Sequence, residues 1–404
     1  MPETHPVGER IALHRRRAGL SQIEFANLVG RSESWVSQVE RGVRAVDCMF
    51  VLQRVADVLS VSVAELRDDQ VSTPEERPEA FDTIRLALTG HPALGPLLDT
   101  AKIAAPRRQL GKLRSLHAEI WQLVHASRYT ELAPVLAELV PDLETATRTT
   151  SGSTQAEAYD LLCDSYQAAA AMMAKLGEAD AAWIAADRAG FCAERAGSPL
   201  GVAAAMFRMA HVFLALRQSD KAHRVALNAA QSLEARVKSG TEPEVLSLYG
   251  ALHLVLAVAA ARDNERAAAH GYLDAARRVA KQLGADRNDF GTEFGPTNVA
   301  IHAVSIAVEL GDAGHAIDLS RHVDTSGLSP ERQARYLLDV AQAHAMRRHT
   351  GEALHALLDA EQVAPEETRV HHIGRAVTRE LLQLSGPRPR PELRDLAERF
   401  GVLP

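Results

Sequence analysis

Apolar residues recur along this chain at intervals of three and four, and runs alternating with period two are few, a pattern that predicts helices and almost no strand. Through residues 7 to 67 they fall into short groups: Ile11; Phe25, Ala26 and Val29; Trp35, Val36 and Val39; Leu52, Val55, Ala56 and Leu59. Turn residues separate the groups. Gly19, Gly30 and Gly42 stand where helices should stop, Ser21 and Ser32 are good N-caps, and Glu24 three residues after Ser21 completes a capping box. Five short helices are predicted here.

The pattern then breaks. "RDDQVSTPEERPEA", Arg67 to Ala80, is charged and carries two prolines, too polar to bury and poor at continuing a helix, so a domain boundary belongs there. Residues 68–106 read as a linker with short amphipathic pieces that connect domains or form a dimer. From residue 107 to the end, long alanine-rich helices follow in pairs, roughly 107–145, 155–195, 200–238, 244–284, 296–324, 330–361 and a last pair from 366. Such spacing predicts a helical solenoid over 107–404. In "QARYLLDVAQAHAMRRHTGEALHALLDAEQVAP", Leu337, Val340, Ala341, His344, Ala353, Leu357, Ala360 and Pro365 stand at the eight signature places of a tetratricopeptide repeat, which this unit resembles. Small residues at Ala341 and Ala353 let paired helices approach, while Leu337, Leu357 and Ala360 fill the space between pairs. Ala182, Ala186 and Ala189, and Ala222, Ala226 and Ala229, keep the second-helix spacing in more degenerate units.

Composition agrees with an all-α chain: aromatics are 4% of the 404 residues and the apolar fraction is dominated by aliphatics and alanine. The 45 basic and 52 acidic residues give −7, so any nucleic-acid surface must be local. Cys48, Cys163 and Cys192 form no CxxC pair, which excludes a zinc quartet and a disulfide framework and suits a reducing cytoplasm. The N-terminus lacks an apolar stretch after its charges, and no eighteen apolar residues run uninterrupted, so a soluble protein with no membrane partner is expected.

The chemistry concentrates in "GRSESWVSQVERG", Gly30 to Gly42. A helix here turns Val36 and Val39 inward and leaves Glu33, Ser34, Ser37, Gln38 and Arg41 outside. Short polar side chains allow a helix to enter a major groove, and Gln38 can offer paired donor and acceptor groups to adenine. Together with "LSQIEFANLVG" before it, the stretch resembles the helix-turn-helix of the XRE and phage-repressor family in the order and spacing of Leu20, Ser21, Gln22, Ala26, Val36, Val39, Glu40, Arg41 and Gly42, over residues 8 to 67. That resemblance implies a five-helix domain in residues 1–67 in which Gln22 meets a backbone phosphate of a double-stranded operator. It also implies that Ser32, Glu33, Ser34 and Gln38 read bases, and that Arg41 and Arg44 meet backbone beyond them. Arg15, Arg16 and Arg17 could add phosphate contacts. Glu33 is an acidic departure, able to accept from cytosine, and "AVDC" replaces the family's proline-containing turn. Glu40 reads as structural, pairing with an arginine or capping backbone.

Residues 1–67 hold nine arginines against eight acids, hence +1, and the remainder −8. One such domain should bind weakly, so a homodimer is expected. The arrangement is similar to that of the RRNPP regulators, and that resemblance implies repeats that bind a signalling peptide and reposition the DNA-binding domains. A ligand face should show polar residues at helical spacing, as Asn298, His302, Ser305 and Glu309 do against Ile301, Val304 and Val308. Weaker stripes are Asp160, Asp164 and Gln167; Arg208 and His211; Tyr249 and His253. Among seventeen histidines no HExxH occurs, and the neighbours His371 and His372 should point apart on a helix, so neither a metal nor any cofactor is expected. Lacking GxSxG, GxxxxGK[ST] and a glycine-rich strand-to-helix fingerprint, the chain reads as a cytoplasmic regulator rather than an enzyme. The alternative is a DNA-binding scaffold that recruits another regulator without a diffusible ligand.

Overall fold

In the computed structural model, residues 7–42, 46, 49–59, 61, 66, 79–89, 109–239, 242–385 and 389–403 are described. They are helical, with one isolated antiparallel bridge, Arg287 to Phe294. The chain divides into two compact units, residues 1–77 with 376–397 and 402–404, and residues 78–375 with 398–401.

In the first unit α1 (Val7–Arg17), α2 (Gln22–Val29), α3 (Glu33–Glu40) and α4 (Met49–Leu59) close over the apolar positions read from the sequence. Ile11, Phe25, Val36, Val39, Leu52, Val55 and Ala56 are buried together, joined by Leu66. Most of the predicted fifth helix lies outside the described residues, as does Cys48. Ser21 and Glu24 form the capping box, and Gly30 ends α2 at φ 70°, a left-handed conformation that turns the chain directly into α3. Gly8 lies where α1 crosses α3: a β-carbon there would stand 2.0 Å from the Val39 carbonyl oxygen, so only glycine allows the crossing.

The second unit begins with α5 (Glu79–Thr89), whose Ile84 and Leu88 are fully buried in the same core as the helices that follow. Antiparallel pairs then succeed one another as a tetratricopeptide-like solenoid: α6 (Leu110–His125) with α7 (Tyr129–Thr149), α8 (Gly152–Lys175) with α9 (Ala179–Ala196), and α10 (Pro199–Ala215) with α11 (Ser219–Ser239). Next come α12 (Pro243–Arg262) with α13 (Arg266–Leu283), α14 (Pro296–Glu309) with α15 (Ala313–Ser320), and α16 (Pro330–Met346) with α17 (Thr350–Val363). The α18 helix (Pro365–Val370) follows in this unit, while most of α19 (His372–Ser385) and of α20 (Pro391–Arg399) is grouped with the first. The alanines at 182, 186, 189, 222, 226, 229, 341, 353 and 360 are buried, as the close approach of paired helices requires.

All six pairs turn the same way. Ser127, Gly177, Arg217, Asn264, Gly311 and Arg348 are left-handed, with φ from 53° to 82°. Each N–H is donated three residues back, and the next N–H five residues back, as in Asn264 to Ala261 and Glu265 to Ala260. This double bond satisfies the last carbonyls of the first helix while reversing the chain.

Two features depart from a simple stack. The first and last parts of this unit are joined: Ser127 Oγ and Tyr129 OH donate to the Glu367 carboxylate at 2.8 and 2.9 Å, and the Thr130 N–H donates to Glu366 at 2.9 Å. The connection from Gly284 to Gly295, between α13 and α14, is long where its counterparts are as short as Gly197–Ser198. The α12 helix is long and apolar enough to cross a membrane by length and composition, with mean hydropathy 1.7, and 83% of that stretch is buried inside the protein.

Candidate functional site

The α3 helix presents what its sequence proposes. Ser32 accepts from the Trp35 N–H at 3.2 Å and so caps the helix, using the hydroxyl assigned to base reading. Glu33, Ser34 and Arg41 are exposed, and Ser37 and Gln38 are half-buried. Gln38 Nε2 reaches Ser34 Oγ at 3.5 Å along the same face, and Arg41 Nε donates to the Ser37 carbonyl at 3.1 Å. Arg31, which the sequence pattern did not single out, stands over the Trp35 ring at 5.8 Å and is exposed at the start of the helix. Arg44 lies outside the described residues.

The face is braced from behind. Arg15 is 8% exposed and grips Glu40 through Nε at 2.5 Å and Nη2 at 2.9 Å, so it is a structural residue and not a free phosphate contact; Arg16 and Arg17 are exposed. Gln22 Nε2 also donates to Glu40, at 2.7 Å, which leaves its second N–H. Burial pulls the Glu40 pKa up, but the bonds from Arg15 and Gln22 outweigh it and hold the carboxyl below its ordinary value.

In the second unit, the polar stripes separate by location. Tyr249 meets the His253 ring, which in turn meets Tyr272 of α13, and Tyr272 bonds His223 of α11 at 3.0 Å. Ser305 bonds the buried Asp339, and Glu309 pairs with Arg262 at 3.0 Å. Asp160 is exposed one turn from Asp164, and partial burial of its carboxyl pushes its pKa up.

Asp164, Gln167, Arg208, His211, Asn298 and His302 belong to a buried polar interior. Asp164 accepts from Trp121 Nε1 and contacts His117 Nε2, both at 2.8 Å, and Arg208 lies over the Trp121 ring at 4.7 Å. His211 meets the Phe207 ring edge-on, and Gln167 donates to Cys163 Sγ at 3.4 Å while its carbonyl oxygen has no partner. Burial pushes His302 down to about 4 and His211 well below its ordinary value. Arg208, pulled down to about 10 by the same cause, stays protonated.

Sequence spacing missed the centre of this interior: His125, Lys175, Glu293, Glu331 and Arg332. His125 Nδ1 is 3.2 Å from Glu293 and 3.6 Å from Glu331, Lys175 Nζ is 2.5 Å from Glu331, and Arg332 Nε is 3.4 Å from Glu293. The ligand atoms of His125, Glu293 and Glu331 lie within 4.8 Å of one another, close enough to hold a metal ion. Lys175 and Arg332 already balance the two carboxylates. Asn288, whose Oδ1 accepts from the Glu293 N–H, places its Nδ2 3.0 Å from His125 Nε2. These contacts describe a hydrogen-bonded ion cluster. His371 and His372 correct one expectation: the chain breaks between α18 and α19, and their rings stack with centroids 4.6 Å apart instead of pointing away from each other.

Two adjoining clefts of about 420 and 520 Å³ lie on the side of α14 opposite the Asn298–Glu309 stripe, between α13 and α15. None of the sequence candidates lines either.

An N-capped α3 following α2 through a left-handed glycine, with an apolar side in the core and a polar side outward, defines a helix-turn-helix domain, here of the XRE type. Residues 6–68 match the family model described as a helix-turn-helix domain. Over 67 residues the chain is 34% identical to the HTH-type transcriptional regulator SinR of Bacillus subtilis (strain 168) and, again over 67, 33% identical to SinR of Bacillus licheniformis. The matched stretch is 17% of this chain and spans 60% of the length of those relatives. Among solved structures, Bacillus thuringiensis PlcR in complex with the peptide PapR7 and DNA aligns over 98% of this chain and 92% of its own, at 11% identity and a TM-score of 0.26. The TPR domain of P58(IPK) aligns over 98% and 97%, at 13% identity and a TM-score of 0.21. Superpositions this loose carry no weight beside the chain's own helix pairs.

Proposed function

We propose that this chain is a sequence-specific DNA-binding transcriptional regulator of the cytoplasm, acting as a homodimer, whose repeat unit senses a peptide or small molecule. The observation that carries the reading is the outward polar face of α3, Ser32 to Arg41, held rigid by the Arg15–Glu40–Gln22 bonds behind it. Ser34 and Gln38 lie one turn apart on that face, the spacing that meets neighbouring base edges in a major groove. Glu33 accepts from cytosine; Ser37 lines the same groove. Arg31, Arg41 and Arg44 neutralise phosphates on either side, and the second N–H of Gln22 donates a hydrogen bond to one. The SinR description, a transcriptional regulator, agrees with this reading.

The ligand would enter the interior around Asp164, Gln167, Arg208, His211, Asn298 and His302. Ser305, Glu309, Tyr249 and His253 then act at a distance from it. A ligand shifts the population of DNA-competent dimers only by its preference for one arrangement over the other. The scaffold reading has one observation in its favour: several interior groups already have partners within the chain.

Selection of bound genomic fragments by the purified full-length protein, with and without a small-molecule extract, tests the proposal. A recurring, partly palindromic site is expected. Gln38→Ala should weaken binding to that site by about 1–3 kcal/mol relative to random DNA. Recovery of fragments with no shared sequence would overturn DNA reading, and identical selections with and without extract would favour the scaffold.

A further inference from the structure

The interior stripe is not bare. The long connection between α13 and α14 folds into it, and two of the side chains that the sequence marks as peptide-holding, Arg208 and Asn298, grip the backbone of that connection together with Arg332. Arg208 Nη2 donates to the Phe290 and Gly291 carbonyls at 3.0 and 2.8 Å. Asn298 Nδ2 donates to the Glu293 carbonyl at 2.8 Å, and Arg332 Nη2 to the Thr292 carbonyl at 3.2 Å. The Glu293 carboxylate accepts from Ser329 Oγ at 2.8 Å and faces His125 and Arg332. Gly291 lies flat on the Trp121 ring, where a β-carbon would come within 2.6 Å. The Phe294 ring fills a slot that exists because position 250 of α12 is glycine; a β-carbon there would stand 2.0 Å from the ring.

The segment does not hold this shape unaided. Phe290 at φ 53° and Glu293 at φ 50° are both left-handed, on either side of Gly291 at 63°. Two non-glycine residues in that region within four positions persist only where surrounding contacts impose them.

We infer that Asn288–Phe294 is a resident ligand: the interior is a peptide-binding site loaded in cis with a segment of its own chain. This inference rests on the reading of the repeat unit as a sensor and names the ligand class. Four successive carbonyls are read by cationic or amide donors, one carboxylate by His125, Arg332 and Ser329, and one aromatic ring by the Gly250 slot. The trans ligand is therefore a short peptide carrying an acidic residue followed by an aromatic one, bound in a turn rather than as a strand. Withdrawal of Glu293 leaves His125, Arg332 and Arg208 facing the interior, which an incoming carboxylate must balance. The resident segment also sets the sensitivity: where it leaves the site only about 1% of the time, a competing peptide loses about a hundredfold in apparent affinity.

The test adds the synthetic peptide acetyl-NDFGTEF-amide, and its glutamine-for-glutamate analogue, to the intact chain without DNA, read by Trp fluorescence and by hydrogen exchange across residues 286–295. Gly291→Ala should expel the segment by collision with Trp121 while leaving the receptor groups in place. Exchange in the segment should rise, and the peptide should bind at least about tenfold more tightly than to the unmodified chain, the glutamine analogue losing that gain. Gly250→Ala closes the slot to both occupants, so exchange should rise and no peptide should bind. Should Gly291→Ala melt the helices, Glu293→Gln, which removes one charge from the segment, takes its place with the same expectation. A segment that leaves without the peptide binding, or equal binding to Gly291→Ala and Gly250→Ala, overturns the inference. So does a segment that stays protected in every folded variant. Because no DNA is present, these outcomes are independent of whether an operator exists.

Discussion

Glu40 shows how much a single carboxylate can carry in a small domain. It sits 9% exposed at the end of α3 and accepts from both Arg15 and Gln22, tying α1 and the start of α2 to the helix proposed to read bases. Glu40→Ala leaves the Arg15 guanidinium buried and unpaired, a loss of about 3–5 kcal/mol for this domain. Hydrogen exchange across residues 7–42 in the intact protein should show it, with DNA binding lost in step. The folded pKa of Glu40 is depressed, so its stabilising contribution is complete above the ordinary carboxylate range and fades as pH falls through the folded value. Gly8→Ala should cost about 1–3 kcal/mol by pushing α1 off the Val39 carbonyl, with the same readout. The structural place of Glu40 was legible in the sequence, whereas Arg15 read as one more surface arginine. Its partner is 25 residues away, beyond any helical period, and three arginines in a row look alike until the fold buries one.

At the scale of the helix and its turn, the repeat is more regular in three dimensions than along the sequence. Helix pairs were legible because buried alanines recur at three and four. The common turn was not, because its left-handed position is filled by serine, glycine, arginine or asparagine, at Ser127, Gly177, Arg217, Asn264, Gly311 and Arg348, so no one residue type marks it. Gly311→Ala should therefore destabilise the second unit by about 1–2 kcal/mol, since a side chain there meets the left-handed penalty. Arg348→Gly removes the same penalty and adds unfolded-chain entropy, and should leave stability unchanged or raise it by up to about 1 kcal/mol. Thermal unfolding of the intact chain distinguishes the two signs.

Across the whole molecule, buried imidazoles set the response to acid. His302, pushed down to about 4, and His211 and His371, pushed well below their ordinary value, are neutral in the folded protein and would charge on unfolding. For a base with a depressed folded pKa, the unfolded state binds the extra protons, so stability falls as pH drops from about 6.5 towards the folded values. Unfolding at pH 5 should take up as many as about three protons from this source, and the melting temperature should fall steadily below pH 6.5. His125 has the opposite sign, because its bonds to Glu293 and Glu331 outweigh burial and raise its pKa. Its contribution is complete below about 6.5 and is lost as pH rises through the folded value. Replacing His302 by Asn should flatten the acid limb. The interior these residues form was only half legible. Asn298, His302 and Arg208 stood out by helical spacing, but Lys175, Glu331 and the intruding connection are brought there by tertiary packing that no local pattern encodes.

Tandem helix pairs that touch only their neighbours can be lengthened or trimmed by one copy, because nothing counts them. Here something does. Tyr129 and Glu367 share a hydrogen bond across 238 residues of chain, so inserting or deleting a pair would carry donor and acceptor apart and strand a buried carboxylate. Growth by duplication, the ordinary route for such arrays, works against this closure, and a contact spanning 238 residues is of the kind that slows folding.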